Sequence, residues 1–198
     1  MEAVMHGMRR AARWGQWFGG ALMLLAALLI AIDVVMRKFF DASIGGADEL
    51  AGYALALGTA WALAAALLER AHIRIDSLYV LLPRRLRFAL DVAGLTLLIA
   101  FFGLIAWHGW SVAAQSWAAA SRSQSALQTP IVIPQSIWLV GLIVFAVIGV
   151  VLLVHALGLA ARGQYAAVAN LISTRSAEEE VEDEVRDLRE RSAPGDDR

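Results

Sequence analysis

Four long apolar runs constrain this chain more than any other feature, because each can cross roughly 30 Å of hydrocarbon at about 1.5 Å per residue. They lie near residues 14–36, 49–68, 86–110 and 135–160. A soluble domain spreads its apolar residues at amphipathic spacing around one core. Here they are blocked into runs, and 59% hydrophobic against 18% charged residues leaves a surplus that must face lipid. The pattern predicts an all-α integral membrane protein with four transmembrane helices.

The first run follows Arg9, Arg10 and Arg13, as the apolar part of a signal peptide would. It is too long for that role and no small-residue cleavage site follows, so it reads as a retained helix behind a basic N-terminus, residues 1–13. Between runs two and three, Ser77 to Leu82 is apolar but too short to span, which predicts a short interfacial segment. Pro83 then suits a first helical turn, where its missing donor costs nothing. Residues 161–198 form a charged tail. Val181, Val185 and Leu188 fall at helical spacing within it, and the reading is a solvated, partly helical segment ending in a disordered Ser192–Arg198. No internal repeat is present.

Orientation follows from basic residues, which are retained on the cytoplasmic side. With both termini cytoplasmic, the inside holds Arg9, Arg10, Arg13, Arg70, Arg74, Arg84, Arg85, Arg87, Arg162 and Arg175, and the outside only Arg37, Lys38 and Arg122. Trp107, Trp110, Trp117 and Trp138 then mark the outer boundary, and Trp14 and Trp17 the inner one.

Little in the sequence points to chemistry. There is no cysteine, which excludes disulfides, thiolate metal sites and cysteine nucleophiles. His108 belongs near the outer end of the third helix and His155 towards the inner end of the fourth, so they cannot ligate one metal. Asp33, Asp48, Glu49, Glu69 and Asp91 all fall near predicted helix ends, where the headgroup region or a snorkelling neighbour can solvate them, and none sits at mid-membrane. A carrier with its own ion or acid site would show midplane charge or helices broken by Gly and Pro. The deep polar residues Thr59 and Thr96 are expected to bond back to their own helices. The expectation is therefore a protein that is not an enzyme and takes no cofactor.

Two readings of the boundary charges stand side by side. Asp48 and Glu49 suit the positive end of a helix dipole, and Glu69–Arg70 and Arg74–Asp76 suit local charge pairs. Alternatively Arg37, Asp48, Glu49, Arg70, His72, Arg74 and Asp76 dock a partner at the two membrane surfaces. The second run is rich in small residues, with Ala56, Ala60 and Ala64 repeating every four, and is expected to be packed on most sides.

Several segments, in order, are similar to the small membrane subunits of TRAP (tripartite ATP-independent periplasmic) transporters, the DctQ-like family. They are Asp33-Val34-Val35-Met36-Arg37-Lys38-Phe39-Phe40, Gly46-Ala47-Asp48-Glu49-Leu50-Ala51-Gly52-Tyr53, Trp61, His72-Ile73-Arg74-Ile75-Asp76 and Ser125-Ala126-Leu127-Gln128-Thr129-Pro130. The resemblance covers residues 14 to 160. It implies a bacterial inner-membrane protein that braces a large membrane subunit, which carries the substrate and sodium sites, while a periplasmic solute-binding protein delivers an organic acid. The partners implied are those two proteins and the lipid bilayer, with no nucleic acid. The alternatives are a membrane redox protein holding haem through His72 and His155, or a self-sufficient small carrier.

Overall fold

In the computed structural model of the chain, residues 2–70 and 82–172, together with Val185 and Leu188, are described here. Among the described residues, four of the five helices are long and apolar enough to span a membrane: α1 (Glu2–Phe40), α2 (Ala47–Leu68), α3 (Arg84–Ala118) and α4 (Val132–Ala161). The short α5 (Tyr165–Ile172) follows, and no strand occurs among the described residues. The expected interfacial segment lies outside them except for Leu82, as does nearly all of the charged tail.

The helices outrun the apolar stretches that announced them. α1 already begins at Glu2, so the basic N-terminus is helical, and α3 continues to Ala118 instead of stopping near residue 110. Hydropathy marks the hydrocarbon crossing, whereas a helix continues through water or headgroups for as long as its residues tolerate helical dihedrals. Each spanning helix is followed by a residue with positive φ: Asp41, Arg70, Ala120 and Gly163. After α3 the N–H of Ser121 donates to Ser116 C=O (3.0 Å) and that of Ala120 to Trp117 C=O (3.1 Å). Gln164 and Gly163 repeat the pattern on Leu159 and Ala160. Both are Schellman closures, which satisfy carbonyls the helix end would otherwise leave bare.

Packing runs α1 against α2, α2 against α4, and α4 against α3, with α5 folded back on α3 and α4. The two inner helices are not neighbours in sequence. In the most apolar stretch of α2 and of α4, 39% of residues are buried inside the chain, against 11% for α1 and α3. α2 is the least apolar of the four and α4 the most, so hydropathy does not decide which helices lie inside. Small residues do. A Cβ on Gly19 would lie 2.7 Å from Gly58 O, and one on Gly15 2.7 Å from Trp61 O, so the pair Gly15 and Gly19, four apart, lets the α1 and α2 backbones meet. Ala60 and Ala64 are buried as well, but Ala56 is exposed. On α4, Gly141 sits against Ala60 and the Trp61 ring, and Gly149 against Ile99 of α3.

The densest core lies towards the end that carries the N-terminus. There Ala12, Ala64, Ala65, Leu67, Leu95, Phe145, Ile148 and Leu152 come together, and Phe102 meets Phe145 edge-to-face at 4.8 Å. α5 closes this end through buried Val168 and an edge-to-face contact of Tyr165 with Phe88. The folded unit thus extends past residue 160, because Tyr165–Ile172 is apolar enough to pack back on α3 and α4.

Candidate functional site

The opposite end of the bundle holds the α1–α2 and α3–α4 connections, and here the polar residues converge. Asp33 lies seven residues before the end of α1 and is buried. Its Oδ1 accepts hydrogen bonds from the backbone N–H of Ile44 (2.6 Å) and the hydroxyl of Ser43 (3.0 Å), while Oδ2 pairs with Arg37 one turn on. Of the two solvating groups expected for Asp33, the neighbour is present as Arg37, and the chain adds Ser43 and Ile44 by turning back over the carboxylate. Asp91 is also buried.

α2 opens at Gly46, whose φ of 99° suits a residue without a side chain. A Cβ there would also come 2.5 Å from Leu127 Cδ1. Leu127 belongs to the α3–α4 connection, which folds on itself: Ser123 N–H donates to Thr129 C=O (2.9 Å), Arg122 donates to Gln128 C=O (3.1 Å), and Thr129 N–H donates to Ser123 Oγ (2.9 Å). This compact loop sets Ser125 against Glu49. The Ser125 hydroxyl donates to Glu49 Oε2, and the hydroxyls of Tyr53, Thr129 and Ser123 surround the same carboxylate. Glu49 Oε1 is buried with no hydrogen-bond partner among the described residues. Two segments quoted for the resemblance, Gly46 to Tyr53 and Ser125 to Pro130, are thus in mutual contact.

The seven candidate docking residues do not form one cluster. Arg37 and Asp48 lie together at this end, 3.8 Å apart, and the Asp48 side chain is 88% exposed. Glu49 is engaged by the neighbouring loop. Arg70 closes α2 at the far end, half-buried with φ of 57°. His72, Arg74 and Asp76 lie outside the described residues. Thr59 and Thr96 do bond back, to Leu55 C=O (2.8 Å) and Val92 C=O (2.7 Å).

Trp61 joins three helices at mid-bundle. Its indole N–H donates to Ile137 C=O of α4 (3.0 Å), and its ring meets Phe18 of α1 edge-to-face at 5.6 Å. Sequence reasoning did not single out its partners Gly15 and Gly141, nor Gly19 opposite Gly58, although the Gly15–Gly19 spacing was a usable signal.

Beside the Glu49–Ser125 contact, a groove of about 390 Å³ runs between α2, α3 and α4, lined by Tyr53, His108, Gln135 and Trp138 among apolar residues. Among the described residues its lining contains no arginine or lysine and so offers no fixed cation to an organic acid. His108 borders this groove with Gln135, whereas His155 lies residues 135 to 155 along the same helix α4, about 30 Å away. No group of three metal-ligating side chains occurs among the described residues.

Four spanning helices held by small-residue contacts, with loops tied by buried carboxylates and charge kept towards the helix ends, define a multi-pass membrane component built for packing. The family model of the DctQ component of tripartite ATP-independent periplasmic transporters matches residues 26–159, more than half of the 198-residue chain, and the chain belongs to that family. It is thus a small inner-membrane component of such a transporter. No curated protein and no solved structure gives a match.

Proposed function

We propose that this chain braces the large subunit of a sodium-coupled importer, enlarging the fixed framework against which that subunit carries an organic acid delivered by a periplasmic binding protein. Both termini then lie in the cytoplasm, as the distribution of basic residues favours. The observation that carries the reading is the unequal covering of the helices. All four spanning helices keep exposed apolar residues, Ile143, Val147 and Val154 of α4 among them, but α1 and α3 are covered least within the chain and leave Leu24, Leu28, Leu97, Phe101 and Leu104 bare. In a bilayer such faces meet lipid or a second membrane protein. A brace also needs no site of its own, which agrees with hydroxyls that bond back to their helices and a groove without a fixed cation.

Docking at the two membrane surfaces falls to Arg37 and Asp48 at one end and Arg70, His72, Arg74 and Asp76 at the other, with Glu49 acting through the loop it holds. The test is a mild-detergent pull-down of tagged protein from its native membrane, followed by mass spectrometry. A large multi-spanning permease recovered in near-equal amount is the expected result. Recovery of the chain alone or as a homo-oligomer overturns the bracing role.

A further inference from the structure

Because α1 is helical from Glu2, the residues preceding its apolar run are held in a fixed array instead of a loose tail. His6, Arg10, Arg13, Trp14 and Trp17 line a recess of about 680 Å³. Their spacing, 6, 10, 13, 14 and 17, places them on one helix face. That face points away from α2, since Ala12, Gly15 and Gly19 bury the opposite side. Among the described residues the recess has no acidic residue in its lining, and neither Arg10 nor Arg13 forms an ion pair with a carboxylate. Arg9 lines only a second recess, with Glu69, whereas His6 and Arg13 border both recesses and Arg10 borders the first alone. Below the arginines the same face turns apolar: Trp17 is 78% exposed, the small residues Gly20 and Ala21 follow, and Leu24 and Leu28 continue the stripe.

We propose that this recess holds the phosphate headgroup of an anionic phospholipid of the surrounding bilayer, with an acyl chain lying along Trp17, Leu24 and Leu28. The order of chemistry along the face carries the inference. Two guanidiniums supply planar donors that fit phosphate oxygens, two indoles sit at the polar–apolar boundary with an N–H to donate, and an apolar track begins one turn further on. A free phosphate ion would use only the first part of that sequence. A lipid uses all of it, and basic residues beside a spanning helix attract anionic headgroups strongly.

The test is native mass spectrometry of the full-length protein titrated with phosphatidylglycerol and, separately, phosphatidylcholine of the same chains. The expected result is preferential phosphatidylglycerol binding that falls about tenfold in the Arg10→Gln, Arg13→Gln double variant and much less in Arg9→Gln. Equal losses in Arg9→Gln and Arg10→Gln single variants mean diffuse attraction to a basic helix end and overturn the site. Displacement of the lipid by millimolar inorganic phosphate assigns the recess to a free anion and overturns the lipid. Should the double variant unfold, quenching of wild-type tryptophan fluorescence by brominated phosphatidylglycerol decides instead. The proposal requires stronger quenching than by brominated phosphatidylcholine, and the excess must vanish in Trp14→Phe, Trp17→Phe; an excess that persists there overturns it.

Discussion

Ser125, in the α3–α4 connection, donates its hydroxyl proton to the carboxylate of Glu49, in the first turn of α2 and 76 residues earlier in the chain. This contact fastens the loop between the third and fourth spanning helices onto the start of the second. It does so where Leu127 already covers Gly46, so one loop supplies both a polar and an apolar hold on the same helix end.

The clasp should behave as a coupled unit. Ser125→Ala and Glu49→Ala are each expected to lower the melting temperature of the detergent-solubilised protein by several degrees, since either removes the part-buried hydrogen bond that ties the α3–α4 connection to α2. The double variant should lose markedly less than the sum. Strict additivity of the two losses, measured by thermal unfolding, would show that the residues do not act together.

Asp33 and Asp48 both approach Arg37, but their environments differ. Asp33→Asn should unfold the α1–α2 turn more readily, because the buried carboxylate accepts from Ser43 and Ile44 as well as from Arg37. Asp48→Asn removes an exposed partner at 3.8 Å and should change stability little. Limited proteolysis at Asp41–Gly45 reads the difference, and equal cleavage in the two variants would contradict it.

At mid-bundle the backbones of α1 and α2 are too close to admit a methyl group. Gly19→Ala is expected to cost about 1–3 kcal/mol, since the group it meets is the Gly58 carbonyl, which cannot rotate away. Gly20→Ala, with nothing within 4 Å of the added carbon, serves as the matched control and should be neutral or slightly stabilising. Chemical or thermal unfolding in the same detergent compares them.

Ala120 occupies the left-handed position that closes α3, at φ of 47°. A side chain there costs about 1 kcal/mol or more that glycine avoids. Ala120→Gly should therefore raise the melting temperature, with the Schellman hydrogen bonds from Ser121 and Ala120 unchanged. A lower melting temperature would mean that the closure depends on the Ala120 methyl group.

Much of this was legible in the residues. The positions of α1 to α4 followed from run length, and the back-bonding of Thr59 and Thr96 from hydroxyl chemistry. The small residues of α2 announced a packed helix, although α4 is covered to the same extent. The burial of Asp33 was not legible, because it depends on Ser43 and Ile44 folding back over the end of α1. The pairing of Glu49 with Ser125 was hidden for a similar reason: nothing local at either residue names a partner 76 positions away.

By itself the sequence determined that the chain crosses the membrane four times, because run length and the cost of leaving backbone groups bare in hydrocarbon admit little else. Its motif order also determined the family. Only the tertiary structure decided the helix order α1, α2, α4, α3, and with it the mutual contact of the two loops. Lipid tails are as apolar as leucine, so hydropathy ranks no helix as inner or outer. Close fit at Gly19, Gly58, Gly141 and Gly149, and the few polar groups that must find partners at the bundle end, made that choice.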